Sequence, residues 1–191
     1  MKLDFTLSGE IIITDLFKEL ELATVERKHP FRFCYLATTE VDNVPAQRTV
    51  VLRNVLPSNE MLIYTDYRSS KLQEIKQQPQ VSILFYHPIK QLQVRFQATA
   101  KIHHQDTRCL VAWNKLNDHN KKDYQIELPP GSDLPNIYED LGRNPEFGSN
   151  FFSIISLTPI NIDILQLSRM GHKRFVGQME NGAWTGRRVI P

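Results

Sequence analysis

Apolar and polar residues alternate over much of this chain with a period of two. The clearest case is 91–102, where Leu92, Val94, Phe96 and Ala98 stand against Gln91, Gln93, Arg95 and Gln97. That pattern predicts a long strand with one buried face. Residues 46–55 are rich in β-branched side chains, and 61–65 are a short apolar run. Pro57-Ser58-Asn59 lies between them, which predicts a β-hairpin. Further strands are expected at 31–39, 81–86, 151–157, 160–167, 172–179 and 183–190. Glu180-Asn181-Gly182 joins the last two, and Asn-Gly between strands is a hairpin signal. A helical period occurs in fewer places. Leu16, Phe17, Leu20 and Ala23 predict an amphipathic helix over 14–27, capped by Thr14 or Asp15. Ser70, three residues before Gln73, has capping-box spacing and opens a helix that stops before Pro79. Asp106 or Thr107 caps another, through Leu116. Residues 117–149 are the least regular, with Pro129-Pro130-Gly131, Pro135, Gly142, Pro145 and Gly148. A loop of that length is functional or mobile. Antiparallel hairpins closing on themselves give a mainly β fold, a barrel with short helices.

A length of 191 residues suits one domain, 1–191, with 117–149 as an irregular insert. Lys and Arg number 23 against 21 Asp and Glu, so no basic excess marks a nucleic-acid binder. The apolar runs are too short to span a membrane. Met1-Lys2-Leu3-Asp4 lacks the apolar core of a signal peptide, so the expected location is the cytoplasm. Cys34 and Cys109 can pair only once and have no metal-ligand spacing. They read as reduced, buried thiols, and no metal site is expected.

Candidate chemistry concentrates at 45–71. Arg48, Arg53 and Lys71 supply cations there, and Thr65, Ser69 and Ser70 supply hydroxyls. A helix start adds free N–H groups and partial positive charge, a combination that suits a phosphate. A solvated hairpin with ordinary surface charges accounts for the same composition. Arg48 and Arg53 are five apart, so an ideal strand puts them on opposite faces. They share one site only if the strand bends or an interface intervenes.

The order of the parts carries more. Arg48-Thr49-Val50-Val51-Leu52-Arg53, then Tyr64-Thr65, Ser70-Lys71 and Gln93-Val94-Arg95 resembles the FMN site of the pyridoxamine 5'-phosphate oxidase family. The ending, with His172 and Arg174, then Trp184, then Arg187 to Pro191, is similar to that family's ending. The resemblance covers roughly 14–116 and 150–191 and implies an FMN-binding split barrel working as a homodimer on a small molecule. It assigns the phosphate to Arg48 and Lys71, with Thr49, Val50, Val51 and Ser70 in the same motifs. Tyr64 and Thr65 would meet the phosphate end or polyol, and Gln93 the polar edge of the ring. Arg53 would sit nearer ring and substrate. Arg174 would stabilise the negative charge of reduced flavin at the pyrimidine edge. His172 either orients a substrate or is structural, and Trp184 reads as core.

Some positions depart from the family. Ser70-Lys71 stands where Arg-Lys is frequent, so one phosphate cation is missing. Val111 falls at a substrate-holding Tyr, Lys115 at an Arg, and Met170-Gly171 at an Arg-Leu pair. Lys115, Arg53 and Arg169 are the cations that could compensate. The expectation is an FMN-dependent oxidoreductase with weak or absent pyridoxamine phosphate oxidase activity. A non-catalytic FMN-binding or storage protein is the alternative.

Overall fold

The computed structural model describes residues 3–134 and 142–191; Met1-Lys2 and Pro135 lie outside the described residues. The first helix, α1 (Gly9–Val25), starts five residues earlier than the periodicity implied, with Ser8 rather than Thr14 or Asp15 at its N-cap. Ile12 and Ile13 extend the buried stripe of Leu16, Phe17, Leu20 and Ala23 by one turn. Pro30–Arg32 form a 3-10 turn, so β1 (Phe33–Thr39) begins two residues later than expected. Then come β2 (Pro45–Val55), β3 (Met61–Asp66), α2 (Ser70–Gln77), β4 (Gln80–His87) and β5 (Leu92–His104). Ser69, not Ser70, is the N-cap of α2, and it makes no side-chain cap bond.

After β5 comes α3 (Thr107–Lys115), whose N-cap Asp106 accepts from the Cys109 N–H at 2.9 Å. The described residues of the insert are less irregular than their prolines and glycines suggest. They hold α4 (Asp118–Lys121), short 3-10 turns at Lys122–Tyr124 and Pro145–Phe147, and α5 (Gly148–Phe151). The two strands expected on either side of Pro159 are one, β6 (Phe152–Gln166). Gln97 pairs with Asn161 while Ala98 pairs with Pro159, so Ile160 is bulged out. A proline is tolerated within a sheet at such a bulge. The chain closes with β7 (Lys173–Glu180) and β8 (Ala183–Val189), joined through Asn181 and Gly182 at positive φ.

The sheet order is β3-β2-β1-β4-β5-β6-β7-β8, and β3 also pairs with β6. Strands β1 to β6 therefore close an antiparallel barrel, and β7–β8 continue the sheet beyond it. Alternate residues point inward. Cys34, Leu36, Leu52, Ile83, Phe85, Val94 and Phe96 are at most 0% exposed and fill the interior. Helix α1 lies across β2 and β8. A second apolar cluster forms outside β3 and β6, where Tyr124, Trp113 and Phe152 pack edge and tilt against one another. The insert is thus anchored onto the barrel's outer wall. Both cysteines are free and buried, and burial pushes the thiols up, Cys34 to about 12 and Cys109 to about 11.

Candidate functional site

Three elements meet at the start of α2. Strand β2 brings Arg48, β3 brings Thr65, and α2 brings Lys71 and Glu74. Arg48 Nη2 donates to Glu74 Oε2 at 2.7 Å. Arg48 Nη1 donates to the Thr38 hydroxyl, and Thr38 donates in turn to Glu74. Lys71 Nζ donates to Thr65 Oγ1 at 3.1 Å, and Thr65 lies 3.4 Å from the Ser69 hydroxyl. Burial first, and then the neighbouring Arg48 charge, push the Lys71 ammonium below its ordinary value. Asp66 also acts on Lys71 but is paired with Arg68, so Arg48 and Lys71 against Glu74 leave one positive charge in excess. With the uncapped start of α2, this donor set fits a phosphate.

The other positions fall elsewhere. Tyr64 follows strand alternation to the face opposite Thr65, where its ring packs 5.1 Å from Phe152. Arg53 lies over that ring at 5.8 Å, and its Nε is buried with no hydrogen-bond partner among the described residues. Val50 turns its side chain into the core, while Thr49 and Val51 face outward. Ser70 is exposed. Gln93 is half-buried on the outer face of β5, between Tyr86 and Leu165. Arg174 Nε and Nη2 donate to the two Asp163 oxygens at 3.0 and 2.8 Å, and Arg95 reaches the same carboxylate at 2.8 Å. The Arg174 contact holds the Asp163 carboxyl below its ordinary value. These groups line a groove of about 530 Å³ with Gln97, Asn161 and Arg187.

Lys115, Arg169 and His172 are exposed and not gathered into one place. Helix α3 follows the strand end where His104 pairs with Ser153, whereas 167–172 follows the end where Leu92 pairs with Gln166. His172 Nδ1 accepts the Ser168 N–H at 3.1 Å, which makes it part of a turn. Trp184 is half-buried against Phe17 at 6.3 Å, in keeping with a core role.

Sequence reasoning missed Glu74, Thr38, Asp163 and Arg95. Glu74 carried a signal: it shares the buried side of α2 with Leu72 and Ile75, and a buried carboxylate needs a cation. Arg68 is the nearest substitute for the cation absent at Ser70, but it is engaged. It donates to Asp66, to the carbonyls of Ile126 and Glu127, and lies 3.5 Å over Phe151. Its work is to tie the insert to the barrel.

A closed antiparallel barrel carrying a two-strand extension defines the split-barrel class. The family model described as pyridoxamine 5'-phosphate oxidase, FMN-binding domain, matches residues 14–104. A pyridoxine/pyridoxamine 5'-phosphate oxidase from Psychrobacter sp. (strain PRwf-1) is 45% identical over 60 residues, which are 31% of this chain and 27% of that protein. The match thus spans about a quarter of that curated relative. A pyridoxamine 5'-phosphate oxidase-related FMN binding protein from Nostoc punctiforme PCC 73102 matches over 97% of this chain and 99% of its own, at 24% identity and TM-score 0.78. PhzG from Burkholderia lata 383, solved in complex with tetrahydrophenazine-1-carboxylic acid, matches over 94% and 92%, at 17% identity and TM-score 0.72. At these identities the structures share the fold. The family model, for its part, covers residues 14–104, a little under half of this chain, and marks that stretch as similar to the FMN-binding domain of pyridoxamine 5'-phosphate oxidases.

Proposed function

We propose that this chain is a homodimeric FMN-dependent oxidoreductase acting on a small molecule. The observation that carries the reading is the cluster of Arg48, Lys71, Thr65 and Ser69 at the start of α2. Arg48 and Lys71 would hold the phosphate, and Thr65 and Ser69 would orient the adjoining polyol. Gln93 and Arg174 would address the polar edge of the ring. FMN, when bound, supplies two-electron chemistry, while the protein positions it and tunes its electrostatics. A dimer is supported by the outer face of β1 and β4, where Phe33 is 56% exposed and Tyr35 and Tyr86 are each 42% exposed. Two unpaired, buried thiols favour a reducing compartment, the cytoplasm. No described helix is long and apolar enough to cross a membrane.

The dispersal of Lys115, Arg169 and His172 favours a substrate other than pyridoxamine phosphate. The same dispersal supports the second reading, an FMN-binding or storage protein without turnover. One experiment addresses both levels. Flavin-free protein is titrated with FMN and with riboflavin, and the loaded protein is then offered pyridoxamine phosphate. Arg48→Ala or Lys71→Ala weakens FMN by about 1.5–3 kcal/mol and leaves riboflavin unchanged. Equal losses for both flavins defeat the phosphate assignment. A specificity constant above roughly 10⁴ M⁻¹s⁻¹ with pyridoxamine phosphate defeats the substrate reading.

A further inference from the structure

Arg48 rests on partners more deeply buried than itself. Its side chain is 22% exposed, that of Glu74 is 8%, and Thr38 is 4% exposed. The two terminal nitrogens are spoken for: Nη1 by Thr38 and by the Ala46 carbonyl at 3.4 Å, Nη2 by Glu74 at 2.7 Å. Nε makes no hydrogen bond among the described residues. The guanidinium is therefore gripped from beneath at its far end, and its near edge is left to an incoming anion.

We propose that Glu74 is a positioning residue that aims Arg48 at the phosphate of FMN and so sets the preference for FMN over riboflavin. This rests on the reading that the cradle takes that phosphate. An unrestrained arginine samples many rotamers, and fixing it on binding costs affinity. Glu74 and Thr38 fix it beforehand, so each hydrogen bond to an anion costs less ordering. A carboxylate beside an anion site also repels the anion. Here its charge is matched by Arg48 itself, and Lys71 leaves the cradle one positive charge in surplus.

The two effects of Glu74 have opposite signs, which makes the test decisive. FMN and riboflavin are titrated into flavin-free parent, Glu74→Ala, Glu74→Gln and Thr38→Val proteins, with flavin fluorescence as readout and thermal unfolding as the folding control. Glu74→Ala raises the FMN dissociation constant about tenfold and leaves riboflavin unchanged. Glu74→Gln, which keeps an acceptor for Arg48, and Thr38→Val, which keeps the carboxylate, each lose less. A folded Glu74→Ala protein that keeps the parent's ratio of FMN to riboflavin affinity, or a Glu74→Gln protein that binds FMN more tightly, overturns the inference. If Glu74→Ala does not fold, the other two variants carry the decision: an unchanged ratio in both overturns it, a reduced ratio in both supports it. A parent that binds the two flavins equally defeats the cradle reading and this inference together. A parent that discriminates, with variants that discriminate as well, defeats only the positioning role.

Discussion

Arg48 and Arg53 stand on one strand, and the β2–β3 register shifts between Leu52 and Asn54, leaving Arg53 as the bulged residue. Arg48 shares its face with the buried Val50 and Leu52, whereas Arg53 lies over the Tyr64 ring. Bulges re-aim single side chains. The two arginines therefore serve different places, and the cradle at α2 is built from Arg48 and Lys71 without Arg53. An unpartnered buried Nε costs on the order of 1–3 kcal/mol, so Arg53 is poised for an acceptor of its own.

Gly186 tests the packing that carries β8. A Cβ there would lie 2.2 Å from Phe175 Cζ and 2.9 Å from the Val176 carbonyl oxygen. Phe175 is 2% exposed and has little room to yield. Gly186→Ala is expected to destabilise the fold by about 1–3 kcal/mol, the range for overpacking a core. Urea unfolding of parent and variant measures it. An unchanged midpoint would mean that Phe175 moves aside freely.

The barrel was legible because strand alternation and apolar periodicity are local signals. The span from β2 through α2 needed only β-branched runs, a turn and a helix start. The bulges were not legible. Pro159 reads locally as a break, and only its neighbour β5 shows that the strand runs on through Ile160. Lys71 and Arg48 were recognisable as candidates through the order of motifs that resembles the family's FMN site, since cations beside a helix start fit a solvated hairpin equally well. Asp163 was not, because its significance depends on which strands lie beside it, and the helical spacing that put Glu74 on the buried side of α2 did not reveal that Arg48 lies across from it. Strand parity assumed an unbroken β2, whereas the bulge at Arg53 interrupts it and sets that side chain over Tyr64.

Acid should unfold this protein through its paired carboxylates. Burial opposes ionisation of Glu74, but bonds from Thr38 and Arg48 and the Arg48 charge outweigh it, so its carboxyl is held low. Asp163 is held low chiefly by Arg174. A depressed carboxylate gives stability that is present above the unfolded value, roughly 4, and is lost as pH falls through the folded value. The urea midpoint should hold near neutrality and fall below about pH 4. Glu74→Gln and Asp163→Asn should each flatten that fall. A midpoint that is flat down to pH 3, or variants as acid-sensitive as the parent, would show that these pairs contribute nothing to the pH dependence.

Arg174 offers a test of the dimer. Strands β2 and β7 are not neighbours: even by the shorter path through the β3–β6 closure, two strands lie between them. Arg174 also faces away from the core that Phe175 enters, while Arg48 lies on the core side of β2. One flavin touching both arginines is therefore expected to take them from two chains. Arg48→Ala and Arg174→Ala homodimers should each bind FMN poorly, since every site lacks one arginine. Unfolded together in equal amounts and refolded, they should form heterodimers as about half of all dimers, each with one site that keeps both arginines and one that keeps neither. About a quarter of all sites should then recover the parent affinity, readable as a distinct tight phase in an FMN titration. Recovery of no tight phase would mean that the two arginines act within one chain, and a monomer at micromolar concentration with FMN bound would remove the interface site altogether.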